Sequence, residues 1–439
     1  MFFVGFEIDS PERSNIDKQD DMLSRLGNFL RHFYQVPWCV PPWGMREFWA
    51  TCASVLRGRI VEGEAPARAA EAVKDYLGVA YAVPVNRGRT ALELGLRALG
   101  AGPGDDVVLP SYLCRTALEA IQAAGANPVF ADVGEDLNIT PETVSQALTP
   151  GTKCVIVPHL FGKAAPIDEI EAILREAGIP LIDDAAQSLG ARRGGRLLGT
   201  FGACGVVSCG PGKSLAGAAG GLLLTNERRL YERASAIALE SEPPRLVVRR
   251  TISFWMWRRF RRCTLPFGMI LDRLLGPEQE APHERGSLSN LDAQILVCQL
   301  KSLERNACIR RSNIERLLPA IEGIAAYEVR NWSPDDVAVK LVLVLPGNGP
   351  DAGAVIQQLA RAGVECQGGY LPLHLQRPDP KPCLPRTEAL LERVVCIPVE
   401  RSARPRRVQS ALSTLRPASD RPLLESEARG RPVAAGRSQ

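Results

Sequence analysis

The run Ser208-Cys209-Gly210-Pro211-Gly212-Lys213-Ser214-Leu215 sets one lysine among glycines, in a turn between two strand-like runs. A short way upstream lies Ile182-Asp183-Asp184-Ala185-Ala186-Gln187. A lysine that can lose its proton condenses with an aldehyde to a Schiff base. A carboxylate at the end of a nearby strand can keep a pyridinium nitrogen protonated. These are the two groups that pyridoxal phosphate chemistry requires of a protein. The stretch Asn86-Arg87-Gly88-Arg89-Thr90-Ala91 offers a third element, a phosphate cradle. Free amides and the positive dipole end at a helix start suit an anion there.

Each element also has a plainer reading. Gly88-Arg89-Thr90 can be a simple strand–helix turn, Asp184 a helix N-cap, Ser208 a residue bonded to its own backbone, and Lys213 a solvated loop lysine. A nucleotide-binding P-loop at Gly212-Lys213-Ser214 needs a glycine five positions before Gly212, where Val207 stands. Gly210 and Gly212 lack the third glycine of a dinucleotide fingerprint.

The elements that must position these residues decide between the readings. Strand-like runs fall at 81–85, 107–110, 128–133, 154–158, 180–184, 205–208 and 221–225. Helical faces lie between the earlier ones: Leu92, Leu96 and Leu99 on one, Ile167, Ile170, Ile173 and Leu174 on another. This alternation predicts an α/β fold with a mostly parallel sheet covered on both faces. Ligands of such sheets bind beyond the strand C-termini. Gly88, His159, Asp184 and Lys213 all stand at or just after a strand end. Residues 240–284 break the alternation. A helix at 291–303 then leads to strands at 339–345 and 394–398 with a helix at 352–362 between them, a smaller α/β domain. The division expected is an N-terminal extension (1–40), a large cofactor domain (41–284), a small C-terminal domain (285–415) and a disordered tail (416–439) rich in Pro, Ser, Arg and Glu.

Composition narrows the class. A chain of 439 residues exceeds a single core, so two domains are the default. A net charge of +4, with no basic repeat, gives no argument for nucleic acid. The twelve cysteines show no C-x-x-C pair and no His–Cys cluster, so they read as reduced thiols with no metal site. The N-terminus lacks a signal peptide's basic start, and no long uncharged apolar run appears, so a cytoplasmic protein is expected.

Five motifs in order, Asn86-Arg87-Gly88-Arg89-Thr90-Ala91-Leu92, Ala101-Gly102-Pro103-Gly104-Asp105, His159-Leu160-Phe161-Gly162, Asp183-Asp184-Ala185-Ala186-Gln187 and Ser208-Cys209-Gly210-Pro211-Gly212-Lys213, resemble those of the DegT/StrS family. These are fold-type I, pyridoxal phosphate-dependent nucleotide-sugar aminotransferases. Ser289-Asn290-Leu291-Asp292-Ala293 and Tyr370-Leu371-Pro372-Leu373-His374 extend the match, which runs from about residue 41 to 415. The resemblance implies that Lys213 holds the cofactor covalently and then shuttles the proton between cofactor and substrate carbons. It implies Asp184 on the pyridine nitrogen, Gln187 near the ring hydroxyl, and Ser208 with the amides around Gly88, Arg89 and Thr90 on the phosphate. Cys114 falls where many members place an aromatic over the ring, a place that Tyr112 could serve. His159 stands as a cofactor contact or a sheet-edge histidine, Tyr370 as a substrate contact, and His374 as a substrate contact or a loop-packing residue. Lys213 argues against the dehydratase branch, which carries histidine there. The chain departs from the pattern at Gly210 and Gly212, before the lysine. It also departs at His283-Glu284-Arg285-Gly286-Ser287-Leu288, where an Asn-x-Arg-Met element often reaches the partner subunit's site.

The activity implied is amino transfer from an amino acid, glutamate foremost, to a nucleotide-linked keto sugar, in ping-pong order and in a homodimer. The alternatives are a pyridoxal phosphate enzyme of another reaction type, or a non-catalytic homologue with a regulatory role. One segment stands outside this frame. Residues 245–276 hold eight arginines and one acid among Phe254, Trp255, Trp257, Phe260 and Phe267. Such a stretch fits a dimer interface, a substrate diphosphate or peripheral membrane contact.

Overall fold

The computed structural model describes residues 36–39, 42–255, 285–322, 327–328, 333–377 and 382–415. Nearly all of the expected extension (1–35), most of the basic aromatic segment (256–276) and the tail (416–439) lie outside them.

Strands β1 (Tyr81–Val85), β2 (Asp106–Pro110), β3 (Asn127–Ala131), β4 (Thr152–Pro158) and β5 (Leu181–Asp184) are followed by a two-residue hairpin, β6 (Arg192–Arg193) and β7 (Arg196–Leu197), then by β8 (Cys204–Ser208) and β9 (Gly221–Thr225). Seven of these form one sheet in the order β1-β9-β8-β5-β4-β2-β3. Within it β9 alone runs antiparallel to its neighbours. The reason is local. A parallel crossover usually runs through a helix, whereas 209–220 is a Gly-rich loop without one that turns straight back along β8. Lys213 sits in that return.

Alternation along each strand feeds two cores. Val107, Leu109 and Ile156 pack with Leu92, Leu96, Leu118 and Ile121 of helices Gly88–Ala98 and Arg115–Ala124. Val108, Val155 and Val157 pack on the other side with Ile167, Ile170 and Leu174 of helix Ile167–Glu176.

A second, antiparallel sheet has the order β10-β11-β13-β12, built from β10 (Tyr327–Glu328), β11 (Leu341–Val344), β12 (Gln367–Gly368) and β13 (Val394–Ile397). Its two faces serve two masters. Leu341, Leu343, Val395 and Ile397 pack on helices Leu303–Ile321, Ala352–Arg361 and Pro405–Ser413, while Val342, Val344, Val394 and Cys396 join the core of the first sheet. Helix Asn290–Leu300 packs on Met45–Leu56 and Ala65–Leu77, within the large domain. Helix Leu303–Ile321 joins two cores, with Leu303 packed among residues of the first sheet and Ile314, Leu317 and Ile321 against the second. Val36 already belongs to the small domain, exchanging backbone hydrogen bonds with Gly363 and Glu365.

The seam is stitched at 161–164. Phe161 and Gly162 take left-handed conformations (φ 56° and 93°), which turns their carbonyls toward the amides of Val339 and Val337 at 3.0 and 2.9 Å. A Cβ on Gly162 would stand 1.6 Å from the Val337 carbonyl oxygen. Gly162→Ala should therefore cost about 2 kcal/mol or more, from backbone strain and the broken stitch. Thermal melting of the purified variant checks this; an unchanged midpoint would mean that the seam adjusts freely.

Candidate active site

The turn after β1 is held by Asn86. Its amide donates to the Gly286 carbonyl, its carbonyl accepts from Gly220, and its side-chain oxygen accepts from the Thr90 hydroxyl, each at 2.8 Å. Helix Gly88–Ala98 opens directly after it, with no side chain capping it. The first helical bond runs from Ala91 to Arg87, so the amides of Gly88, Arg89 and Thr90 precede it. Ser208, at the end of β8, lies so close that a Cβ on Gly88 would be 2.6 Å from its Cβ and 2.8 Å from its Oγ. A hydroxyl and a helix start thus meet across a gap that only glycine leaves open. The Arg89 side chain turns away to Glu119 at 2.5 Å, and the Thr90 hydroxyl is spent on Asn86. These two residues bring backbone amides, not side chains, to the cradle.

The paired acids at the end of β5 point to opposite faces. Asp183 is fully buried; one oxygen accepts from His159 Nε2 at 2.9 Å, the other from the amides of Gly199 and Phe201 at 2.6 and 3.0 Å. His159 Nδ1 accepts from the Ala165 amide at 2.9 Å, which leaves the proton on Nε2. Both ring nitrogens are therefore engaged with protein, and His159 braces the strand end. Asp184 accepts from the Ala186 amide at 3.0 Å. Burial raises its carboxyl above the ordinary value, while the Ala186 amide and the charge of Lys213 pull it back.

Lys213 is half-buried in a loop anchored at several points. Its amide donates to Gly210, the Ser214 hydroxyl to the Gln187 carbonyl at 3.1 Å, Trp43 Nε1 to Ala216 at 2.7 Å, and Gly217 to Cys209 at 2.7 Å. Gly212 bends the turn with φ 74°.

Gln187 links the two domains. Its Oε1 accepts from the Phe161 amide at 3.2 Å, and its Nε2 donates to the Tyr370 hydroxyl at 3.0 Å. The Tyr370 ring stacks on Phe161 (5.8 Å, 17°) and meets Tyr112 edge-on at 5.6 Å. Burial first, then the nearby Cys114 sulfur, pushes its phenol far up, so it stays a neutral donor and acceptor. Tyr112 is fully buried and its hydroxyl accepts from the Tyr370 amide at 3.3 Å. Cys114, the residue preceding helix Arg115–Ala124, is half-buried. His374 is buried against Ser111 (Nδ1–Oγ 2.6 Å) and Glu388 (3.4 Å), and anchors 370–374 to the end of β2.

The structure thus brings Gly88, Ser208, Asp184, Lys213, Gln187 and Tyr370 to one edge of the sheet, and gives His159, Tyr112 and His374 partners within the protein. The sequence reading did not single out Asp183 and Phe161. The double acid was a visible signal for the first; nothing local marks the second.

Two outcomes follow. Between the ordinary carboxylate value and the raised value of Asp184, the folded protein keeps a proton that the unfolded chain has released, so stability falls as pH rises through that window. Asp184→Asn should leave the melting midpoint of the cofactor-free protein at pH 7 equal or higher, yet weaken cofactor retention at least about tenfold; a lower midpoint would assign Asp184 to the fold. Gly88→Ala should abolish retention by filling the gap beside Ser208, which dialysis followed by absorbance measures.

The comparisons with known proteins agree with this arrangement. The chain is 31% identical over 272 residues to the L-glutamine:2-deoxy-scyllo-inosose aminotransferase of Streptomyces kanamyceticus, a match covering 62% of this chain and 59% of that protein. It is 28% identical over 336 residues to the dTDP-3-amino-3,4,6-trideoxy-alpha-D-glucose transaminase of Streptomyces venezuelae, covering 74% and 79%. The crystal structure of an aminotransferase, TlmJ, from Streptoalloteichus hindustanus superimposes with a TM-score of 0.68 at 26% identity, over 87% of this chain and all of that one. The helix-flanked sheet is the fold-type I arrangement expected from the sequence. The model of the DegT/DnrJ/EryC1/StrS aminotransferase family matches residues 45–416, and the chain belongs to that family.

Proposed function

We propose that the protein is a pyridoxal phosphate-dependent aminotransferase acting on a keto sugar. One observation carries this reading: an anion cradle at Gly88 and Ser208, a buried carboxylate at Asp184 and the Lys213 amine converge on one sheet edge. The residues fit the cofactor. Its phosphate would take the amides at Gly88, Arg89 and Thr90 with the Ser208 hydroxyl, filling the gap left by the missing Cβ. Asp184 would hold a proton on the ring nitrogen, and a cation there would favour the ionised form that burial disfavours. Gln187, fixed by Phe161 and Tyr370, would orient the ring hydroxyl. When bound, the cofactor supplies the aldehyde that receives the amine and the ring that takes up the electron pair. Lys213 would take the proton from the donor's α-carbon and deliver it to the cofactor carbon, from a loop tied down at Gly210, Ser214, Ala216 and Gly217.

The acceptor class rests on relatives named for a keto-inosose and a dTDP-linked amino sugar. Glutamate is the donor read from the sequence, with glutamine the donor named for the first relative. A homodimer completes the proposal. Purified protein with added cofactor should show a visible absorbance band that glutamate or glutamine bleaches and that Lys213→Ala lacks. A lysine-dependent band indifferent to both donors would point to another reaction type, and no band at all would remove the catalytic reading.

A further inference from the structure

Helix Met45–Leu56 is laid inside out. Its buried side is polar: Glu47 accepts from Gln299 at 2.7 Å and from the Gly44 amide at 2.6 Å, the Thr51 hydroxyl donates to the Glu47 carbonyl, and Ser54 is 1% exposed. Its water side carries Met45, Phe48, Trp49, Val55 and Leu56, at 63, 40, 62, 43 and 85% exposure. A soluble helix ordinarily shows the reverse. The helical segment 244–255 extends the same surface. Trp255 meets Phe48 edge-on at 5.7 Å and its Nε1 donates to Thr51 at 3.4 Å, and Ile252 beside it is 51% exposed.

The rim of this apolar stripe is basic. Arg46 is exposed at its start, and Arg57, Arg59 and Arg68 gather at its end around a recess of about 160 Å³, with Glu64 the lone acid in its wall. None of these four arginines makes an ion pair with a described residue. The sequence after Trp255 is of like composition, for 256–276 holds five arginines and one acid.

We propose that this face docks the protein on an anionic phospholipid surface. Trp49, Leu56 and Met45 enter the boundary between headgroups and acyl chains, and Arg57, Arg59 and Arg68 take a lipid phosphate. Charge complementarity selects this occupant over a second copy of the chain. A two-fold contact would set an arginine-rimmed face against itself, whereas aromatic and aliphatic residues ringed by arginine match an anionic bilayer on both counts.

Flotation of the full chain with phosphatidylcholine vesicles, with and without phosphatidylglycerol, tests the proposal. Binding is expected only with the anionic lipid, weakening as salt rises. Trp49→Glu/Leu56→Glu should lower the bound fraction at least about tenfold, and Arg57→Ala/Arg59→Ala/Arg68→Ala should remove its salt dependence. Leu56→Glu alone, at the most exposed position, should give an intermediate loss without disturbing the fold, which circular dichroism verifies. Wild-type protein that does not float overturns the proposal. In that case a drop in light-scattering mass for the double variant would assign the face to a second copy. Flotation unchanged in the variants also overturns it, placing lipid contact elsewhere in the chain.

Discussion

Three donors converge on the Asp183 carboxylate, and the arrangement of the site hangs on that convergence. His159 brings the end of β4, and the Gly199 and Phe201 amides bring the turn that feeds β8. A buried carboxylate left without them would cost several kcal/mol, so the three segments are held in one register. The consequence is felt one residue on. Because Asp183 is committed to one face, Asp184 must face the other, toward Lys213. One acid is spent on architecture, which leaves the next for the role proposed above.

The small domain acts on the same edge through fewer contacts. Gln187 reads the position of Tyr370 directly, and the turn at 161–162 is tied by backbone bonds to 337–339. A shift of the second sheet against the first would therefore be transmitted to the side chain proposed for the ring hydroxyl. The aromatic group Phe161, Tyr370 and Tyr112 is drawn from three separate parts of the chain. It supplies ring surface beside Cys114.

How much of this the sequence discloses depends on whether the signal is local. The seven strands of the first sheet are apolar runs and were legible to within two residues. Gly88, Asp184 and Lys213 stand out in the sequence as glycines and charges at strand ends, and the structure sets them at or shortly after the ends of β1, β5 and β8. The reversed direction of β9 lay hidden in the length of a loop. Helix Leu303–Ile321 has no plain apolar period because its buried face carries Asn306, Arg310 and Asn313, the last two bonded to the carbonyls of Ala338 and Val399. The division of labour between Asp183 and Asp184 depends on which face each meets. The Gln187–Tyr370 bond spans 183 positions and has no local signature. Helix Met45–Leu56 is the converse case: its apolar period is plain, but nothing in it says that the apolar side is the outer one.

The strap 36–39 bears on the order in which the molecule can form. Val36 pairs with Val364, and the Trp38 amide donates to Glu365, 327 positions away. At roughly 5–20 residues per second of synthesis, these first described residues wait on the order of half a minute for their partners. During that interval β1 can already pair with β9, so the first sheet closes before the small domain exists. The strap is then added after the first sheet, and contacts of such sequence separation slow the folding step that makes them.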